Sequence, residues 1–177
     1  MTKWNLNIDH TTAAFSIRHL NIVNIRGMFN TVRGTLIFDS ASPADIGLEV
    51  AIDAGSLDTG TAGRDEHLRS PAFFDADKFP EITFRSTGAE MRGTGGQLNG
   101  ELTIHGVTRA VVLELALSGP VDAPPELKRG KVIGIVARAT IDRRDFGIDL
   151  NVPMAGGGVG MAWEVEVSLE GEADLIA

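Results

Sequence analysis

Neither cysteine nor tyrosine occurs in this 177-residue sequence, and aromatic residues make up only 6% of it. Without thiols there are no disulfides, no thiolate nucleophile, no zinc ribbon and no iron–sulfur cluster. Positive charge is also scarce: 16 Lys+Arg stand against 24 Asp+Glu, a formal net charge of −8. Phosphate backbones need a basic surface or stripe, so no nucleic-acid partner is expected. Long hydrophobic runs are missing as well. The longest, such as 132-VIGIVA-137, are far too short to cross a bilayer as a helix, so no integral membrane segment is expected. The opening 1-MTKWNLNIDH-10 lacks the apolar run of a signal peptide. The expected location is therefore cytoplasmic, or periplasmic or secreted if the chain is a processed form.

The composition is otherwise that of a globular protein, with 43% hydrophobic and 23% charged residues. Its length fits a single domain over residues 1–177, long enough to bury a sizeable core. Period-two alternation dominates. In 163-WEVEVSLEG-171, Trp163, Val165, Val167 and Leu169 share one face, and Glu164, Glu166, Ser168 and Glu170 the other. The same pattern runs through 13-AAFSIRHL-20, 31-TVRGTLIFD-39, 46-IGLEVAID-53, 81-EITFRS-86, 97-QLNGELTIH-105, 109-RAVVLELALS-118 and 131-KVIGIVARATID-142, with 4-WNLNI-8 as a short extra strand. Turn chemistry at residues 39–43, 93–96, 105–108 and 119–125 suits antiparallel hairpins. One stretch breaks the alternation, and a short helix is predicted from about 62 to 70, stopped by Pro71.

About eight antiparallel strands with one apolar face each can pack as a two-sheet sandwich or close into a barrel. The inward positions are mostly medium aliphatics, with eight Phe and two Trp in the whole chain. An eight-stranded barrel lined in that way leaves room for an apolar cavity. Composition alone leaves both solutions open.

Longer runs narrow the choice. The stretch 57-LDTGTAGRDEHLRSPAFFD-75, followed by 79-FPEITFRS-86, resembles the signature of the YceI-like family. In the same order come 15-FSIRHL-20 with 27-GMFNTVRGTLIFD-39, then 99-NGELTIHGVTRAVVLE-114 and 141-IDRRDFGI-148, so the resemblance covers nearly the whole chain. It implies an all-β, lipocalin-like antiparallel barrel of eight strands with one short helix and an internal apolar cavity. It also implies binding, sequestration or transport of a long isoprenoid or similar amphiphile, such as a polyprenyl quinone, a polyprenyl phosphate or a fatty amide. Ser70-Pro71-Ala72-Phe73-Phe74 departs from the family pattern, which carries an acidic residue between the serine and the Phe pair.

Alternation and resemblance together assign a lining of Phe15, Ile17, Phe29, Leu36, Ile82, Phe84, Leu102, Val111, Leu113, Val136, Val165 and Val167. Leu68, Phe73 and Phe74 close one end, and His19, in step with Phe15 and Ile17, is either a core histidine or a contact for a polar head group. Arg64, Asp65, His67 and Arg69 read as a solvated helix face, with Arg64 or Arg69 as the alternative partner of a ligand oxygen. Arg143 and Asp145 read as a surface ion pair.

Catalytic and metal chemistry find no support. His19, His67 and His105 lack ligand spacing such as HxH or HExxH, so no metal is expected. No GxSxG elbow occurs, and Asp142/Asp145 and Glu164/Glu166 sit at wet strand positions. The glycines of 153-PMAGGGVGMAW-163 precede a strand rather than a helix, so they form a rim loop able to act as a gate, not a phosphate cradle. The expected protein is not an enzyme, has no cofactor, and allows a homodimer. The alternative is a stress-protective or protein-interaction module whose barrel is filled by its own side chains.

Overall fold

In the computed structural model, which describes residues 2–176, the alternating segments join one antiparallel sheet. The strands are β1 (Lys3–His19), β2 (Val23–Phe29), β3 (Val32–Ile37), β4 (Gly47–Asp53), β5 (Leu57–Asp58), β6 (Glu81–Arg92), β7 (Gly95–Ile104), β8 (Val107–Asp122), β9 (Lys131–Asp142) and β10 (Met161–Leu175). Eight of them close a ring in the order β1-β3-β4-β6-β7-β8-β9-β10, sealed by β10 pairing with β1. The sandwich is thereby excluded.

The segments 4–8 and 13–20 are not separate strands but the two halves of β1. Its partners on β10 move from Leu6↔Ala173 to Thr11↔Gly171. The odd number of extra residues in this bulge passes the inward face from Trp4 and Leu6 to Ala13, Phe15, Ile17 and His19. β3 lies beside Lys3–Asn5 and β2 beside Ala13–His19, so β2 extends the wall at one end of the barrel, with β5 on its outer edge. β2 escapes the sequence pattern because its inward position 27 is glycine. A Cβ there would lie 2.4 Å from Phe15 Cζ, so the neighbouring ring fills the place of a side chain.

The predicted turn at 119–125 is displaced. β8 continues to Asp122 through a bulge between Ser118 and Val121, where Pro120 has no N–H to contribute to the ladder. The chain reverses at 123–130 instead, closed by Ala123 N–H donating to the Gly130 carbonyl at 2.7 Å. Arg129 latches this loop to β10 through Asp174 and Glu172.

The helix forms as expected, at α1 (Ala62–Arg69). Its Asp65 is buried and reaches back to accept the backbone N–H of Thr59 at 2.9 Å and the Thr59 hydroxyl. Arg64 donates to the Thr59 hydroxyl and carbonyl, and Arg69 to the carbonyls of Gly55 and Leu57. Hydrogen bonding by Thr59 holds the Asp65 carboxyl below its ordinary value of 3.8, aided by Arg69 and Arg64.

At the end of the barrel away from α1 the interior is solid. Trp4, Leu6, Leu36, Leu98, Leu115 and Ile133 are buried, and Trp4 Nε1 donates to the Phe38 carbonyl at 3.2 Å. Leu36, fully buried between Trp4 and Leu48 in the ladder, belongs to this floor.

Two tests follow from this packing. Leu36→Ala should destabilise the fold by about 2–5 kcal/mol in urea titration, whereas Val112→Ala, on an exposed outer position, should change it by under about 0.5 kcal/mol. Asp65→Asn should melt below wild type at neutral pH. A depressed carboxyl stabilises above its unfolded value and loses that contribution as pH falls through its native one. The gap between the two melting curves should therefore close as pH drops below the ordinary value of 3.8.

Candidate functional site

Above the floor the barrel is hollow. A cavity of about 380 Å³ extends from Leu48, Ala137 and Leu169 toward α1. Its wall follows directly from alternation. β1 contributes Ala13, Phe15, Ile17 and His19, and β10 faces them with Val165, Val167 and Leu169. Leu48, Val50 and Ile52 of β4, Ile82 and Phe84 of β6, and Leu102 and Ile104 of β7 complete the opposite side. Leu113 of β8, with Ala137 and Ile141 of β9, closes the circuit. His67 of α1 lines the cavity while its side chain is exposed, so the space reaches the surface beside the helix.

That end is partly shut by aromatic rings. Phe29 and Phe74 meet edge-on with centroids 5.5 Å apart, and Phe15 lies 6.0 Å from Phe29. Phe73 is buried under His67, ring to ring at 5.1 Å. Phe84 lies against Gly100, where a Cβ would stand 2.3 Å from Phe84 Cζ.

The residues assigned from sequence mostly share this cavity. Phe15, Ile17, His19, Phe29, Leu68, Phe73, Phe74, Ile82, Phe84, Leu102, Leu113, Val165 and Val167 all lie along it. Three do not. Leu36 packs in the floor. Val136 belongs to the outward set of β9 with Arg138 and Thr140, opposite Glu170, while Ile135, Ala137 and Ile141 face in. Val111 shares the inward face with Leu113 but pairs with Gly100, over which the Phe84 ring lies, so that the ring fronts the cavity there.

The polar lining consists of His19, Arg64, His67, Arg143 and Ser168. Arg64 is at the wall, whereas Arg69 turns away to its carbonyls on Gly55 and Leu57. Arg143 overturns its reading as half of a surface ion pair. It is 5% exposed, and no carboxylate lies within salt-bridge distance of it among the described residues. Nε donates to the Ala162 carbonyl at 3.0 Å, and Nη1 to those of Ile148 and Leu150 at 2.7 and 3.0 Å. Its guanidinium lies 4.4 Å from the centre of the Trp163 ring, and burial pushes its pKa down. The ion pair of this turn is instead Arg144 with Asp142. Sequence reasoning missed Arg143, yet the signal was there: it continues the inward parity of Ala137 and Ile141.

His105 stands apart from the two cavity histidines, His19 and His67. His105 sits in the β7–β8 turn at φ 52°, its Nδ1 3.3 Å from the Phe146 carbonyl and its ring edge-on to Phe79. Among the described residues, no group of three or more His, Asp or Glu is placed to hold a metal ion. The glycine segment forms a tight loop, with a bridge between Pro153 and Val159 and Gly157 and Gly158 at positive φ, and it leads into β10 rather than a helix. No helix among the described residues is long and apolar enough to cross a membrane.

Comparison with known proteins agrees with this architecture. Residues 4–173 match the YceI-like domain. Protein YceI of Salmonella newport (strain SL254) is 37% identical over 163 residues, covering 92% of this chain and 82% of that protein. The crystal structure of Burkholderia cenocepacia BcnA superposes with a TM-score of 0.79 at 20% identity, over 94% of this chain and 98% of that one. A polyisoprenoid binding domain from Saccharophagus degradans, implicated in plant cell wall breakdown, superposes with a TM-score of 0.71 at 14% identity, over 99% and 100%. With the family match spanning the barrel from β1 into β10, the chain belongs to the YceI-like domain family.

Proposed function

We propose that the barrel binds a long-chain isoprenoid or similar amphiphilic lipid, with the tail in the cavity, and sequesters or carries it without changing it chemically. The carrying observation is the apolar cavity of about 380 Å³ above a solid floor, reaching the surface beside α1. Such a shape takes a chain inserted tail first. Each buried methylene contributes about 0.8 kcal/mol, so ten contribute roughly 8 kcal/mol, within the estimated association cost of roughly 4–15 kcal/mol. Longer tails move the balance well toward binding. The reading is further supported by family membership and by the likeness to a domain from Saccharophagus degradans described as polyisoprenoid binding.

A barrel filled wholly by its own side chains, as the interaction-module reading requires, fits the floor but not the space between β1 and β7. Nor does the lining offer a nucleophile positioned by a base. Ser168 is its one hydroxyl among the described residues, on the strand face it shares with Glu166 and Glu170.

Denaturing the purified protein and analysing its organic extract by mass spectrometry should release a long-chain lipid. An empty extract, together with no uptake of added polyprenyl chains, would contradict the proposal. Leu113→Trp places a larger side chain in the cavity and should reduce lipid uptake with little change in melting temperature. A self-filled barrel would instead lose about 1–3 kcal/mol from overpacking.

A further inference from the structure

Among the described residues, the side chains that line the cavity include no acid. Its ionisable residues are His19, Arg64, His67 and Arg143, all basic, in a chain with 24 Asp+Glu against 16 Lys+Arg. Their places along the strands put them at one end. His19 pairs with Met161 at the close of β1, Arg143 follows directly on β9, and Arg64 and His67 stand on α1. The remaining wall is aliphatic and aromatic apart from Ser168. A tail that enters toward the floor leaves its polar end among these four residues.

Arg143 adds an independent observation. Its fork is held rigidly by three backbone carbonyls and the Trp163 face, and the hydrogen bonds of Nε and Nη1 are spoken for. Nη2 is buried and has no partner among the described residues. A buried guanidinium nitrogen without an acceptor is costly, and Asp142 and Asp149, both beyond salt-bridge distance, offset the burial of its charge only in part. The three carbonyls explain how Arg143 is positioned but not why a full positive charge is retained there. A neutral donor would tie the same carbonyls.

We propose that this end of the cavity is an oxyanion site, in which Arg143, supported by Arg64, His19 and His67, receives the carboxylate or phosphate terminus of the bound lipid. The site is donor-rich and acid-free, so it selects head groups that accept hydrogen bonds and carry negative charge. It disfavours amines and gives neutral alcohols a hydrogen bond without the attraction between opposite charges. The inference rests on the lipid-binding reading and narrows it to one class of head group.

The test uses the intact wild-type protein and four probes with the same tail: hexadecanoate, hexadecyl phosphate, hexadecanol and hexadecyltrimethylammonium, each below its micelle concentration. At least one of the two anions should bind about tenfold or more tighter than the alcohol, and the cation weakest. The two anions compared with each other distinguish a carboxylate head from a phosphate. Arg143→Gln, checked for its fold by circular dichroism, removes the charge and should reduce the anion preference severalfold, lowering affinity for the anions more than for hexadecanol. Should that variant not fold, the side-chain nitrogen resonances of arginine in the wild-type protein serve instead. Hexadecyl phosphate should then shift a guanidinium signal that hexadecanol leaves in place. Equal affinities across the head groups, an anion preference unchanged by Arg143→Gln, or unmoved guanidinium signals would overturn the oxyanion site while leaving the lipid reading intact. If no probe binds, the lipid reading itself fails, and the site with it.

Discussion

The pairing of β1 with β10 is the constraint on which the rest of the barrel depends. It joins the two ends of the chain and leaves the eight-stranded ring without a free edge, which removes the main route to edge-to-edge aggregation. Closure alone would not make a cavity. The shift from Leu6↔Ala173 to Thr11↔Gly171 turns β1 over partway along its length. An unbroken alternation that put Trp4 and Leu6 inside would put Phe15, Ile17 and His19 outside, and the cavity would lose one wall. Gly171 makes the crossing possible, because a Cβ there would lie 2.4 Å from Thr11 Oγ1.

The interior then divides by side-chain volume. Below the bulge, Trp4, Leu36, Leu98 and Ile133 meet across the barrel and fill it. Above it, the wall is made of Val, Ile, Leu and Ala, and two of the large rings lie against glycines rather than reaching across. Phe15 covers Gly27 and Phe84 covers Gly100. Placed this way, an aromatic ring thickens the wall instead of filling the centre. A glycine beneath each ring and few aromatics in all are thus two aspects of one arrangement.

Most of this was legible in the sequence, because period two survives in nearly every strand and the helix has a clear proline stop. The failures have physical causes. The run 132-VIGIVA-137 is apolar at both parities, so alternation cannot tell Val136 from Ile135 and Ala137. Leu36 was assigned to the correct face, but a face says nothing about height along the barrel axis, and height decides between floor and cavity. β2 was missed because a ring from β1 occupies the place of its residue 27. Arg143 was misread because Arg144 and Asp145 made the whole turn look solvated, although only Arg143 keeps the parity of the strand before it.

Charge follows the same division between inside and outside. The acids of β10, Glu164, Glu166 and Glu170, alternate with its cavity-facing valines and point to solvent, so the acidic excess is carried on the outer face. Basic side chains are collected at the open end of the cavity. An anionic surface repels an anionic amphiphile at long range, an effect that salt reduces over about 10 Å. Inside, the dielectric is lower and Arg143 is hardly hydrated, so attraction acts only on a head group that has already arrived. On the proposed reading, such a barrel holds its ligand by the tail and sorts it by the head. The tail contribution grows with every carbon buried, whereas the head contribution is fixed by one end of the cavity. On that reading, affinity and selectivity rest on different residues.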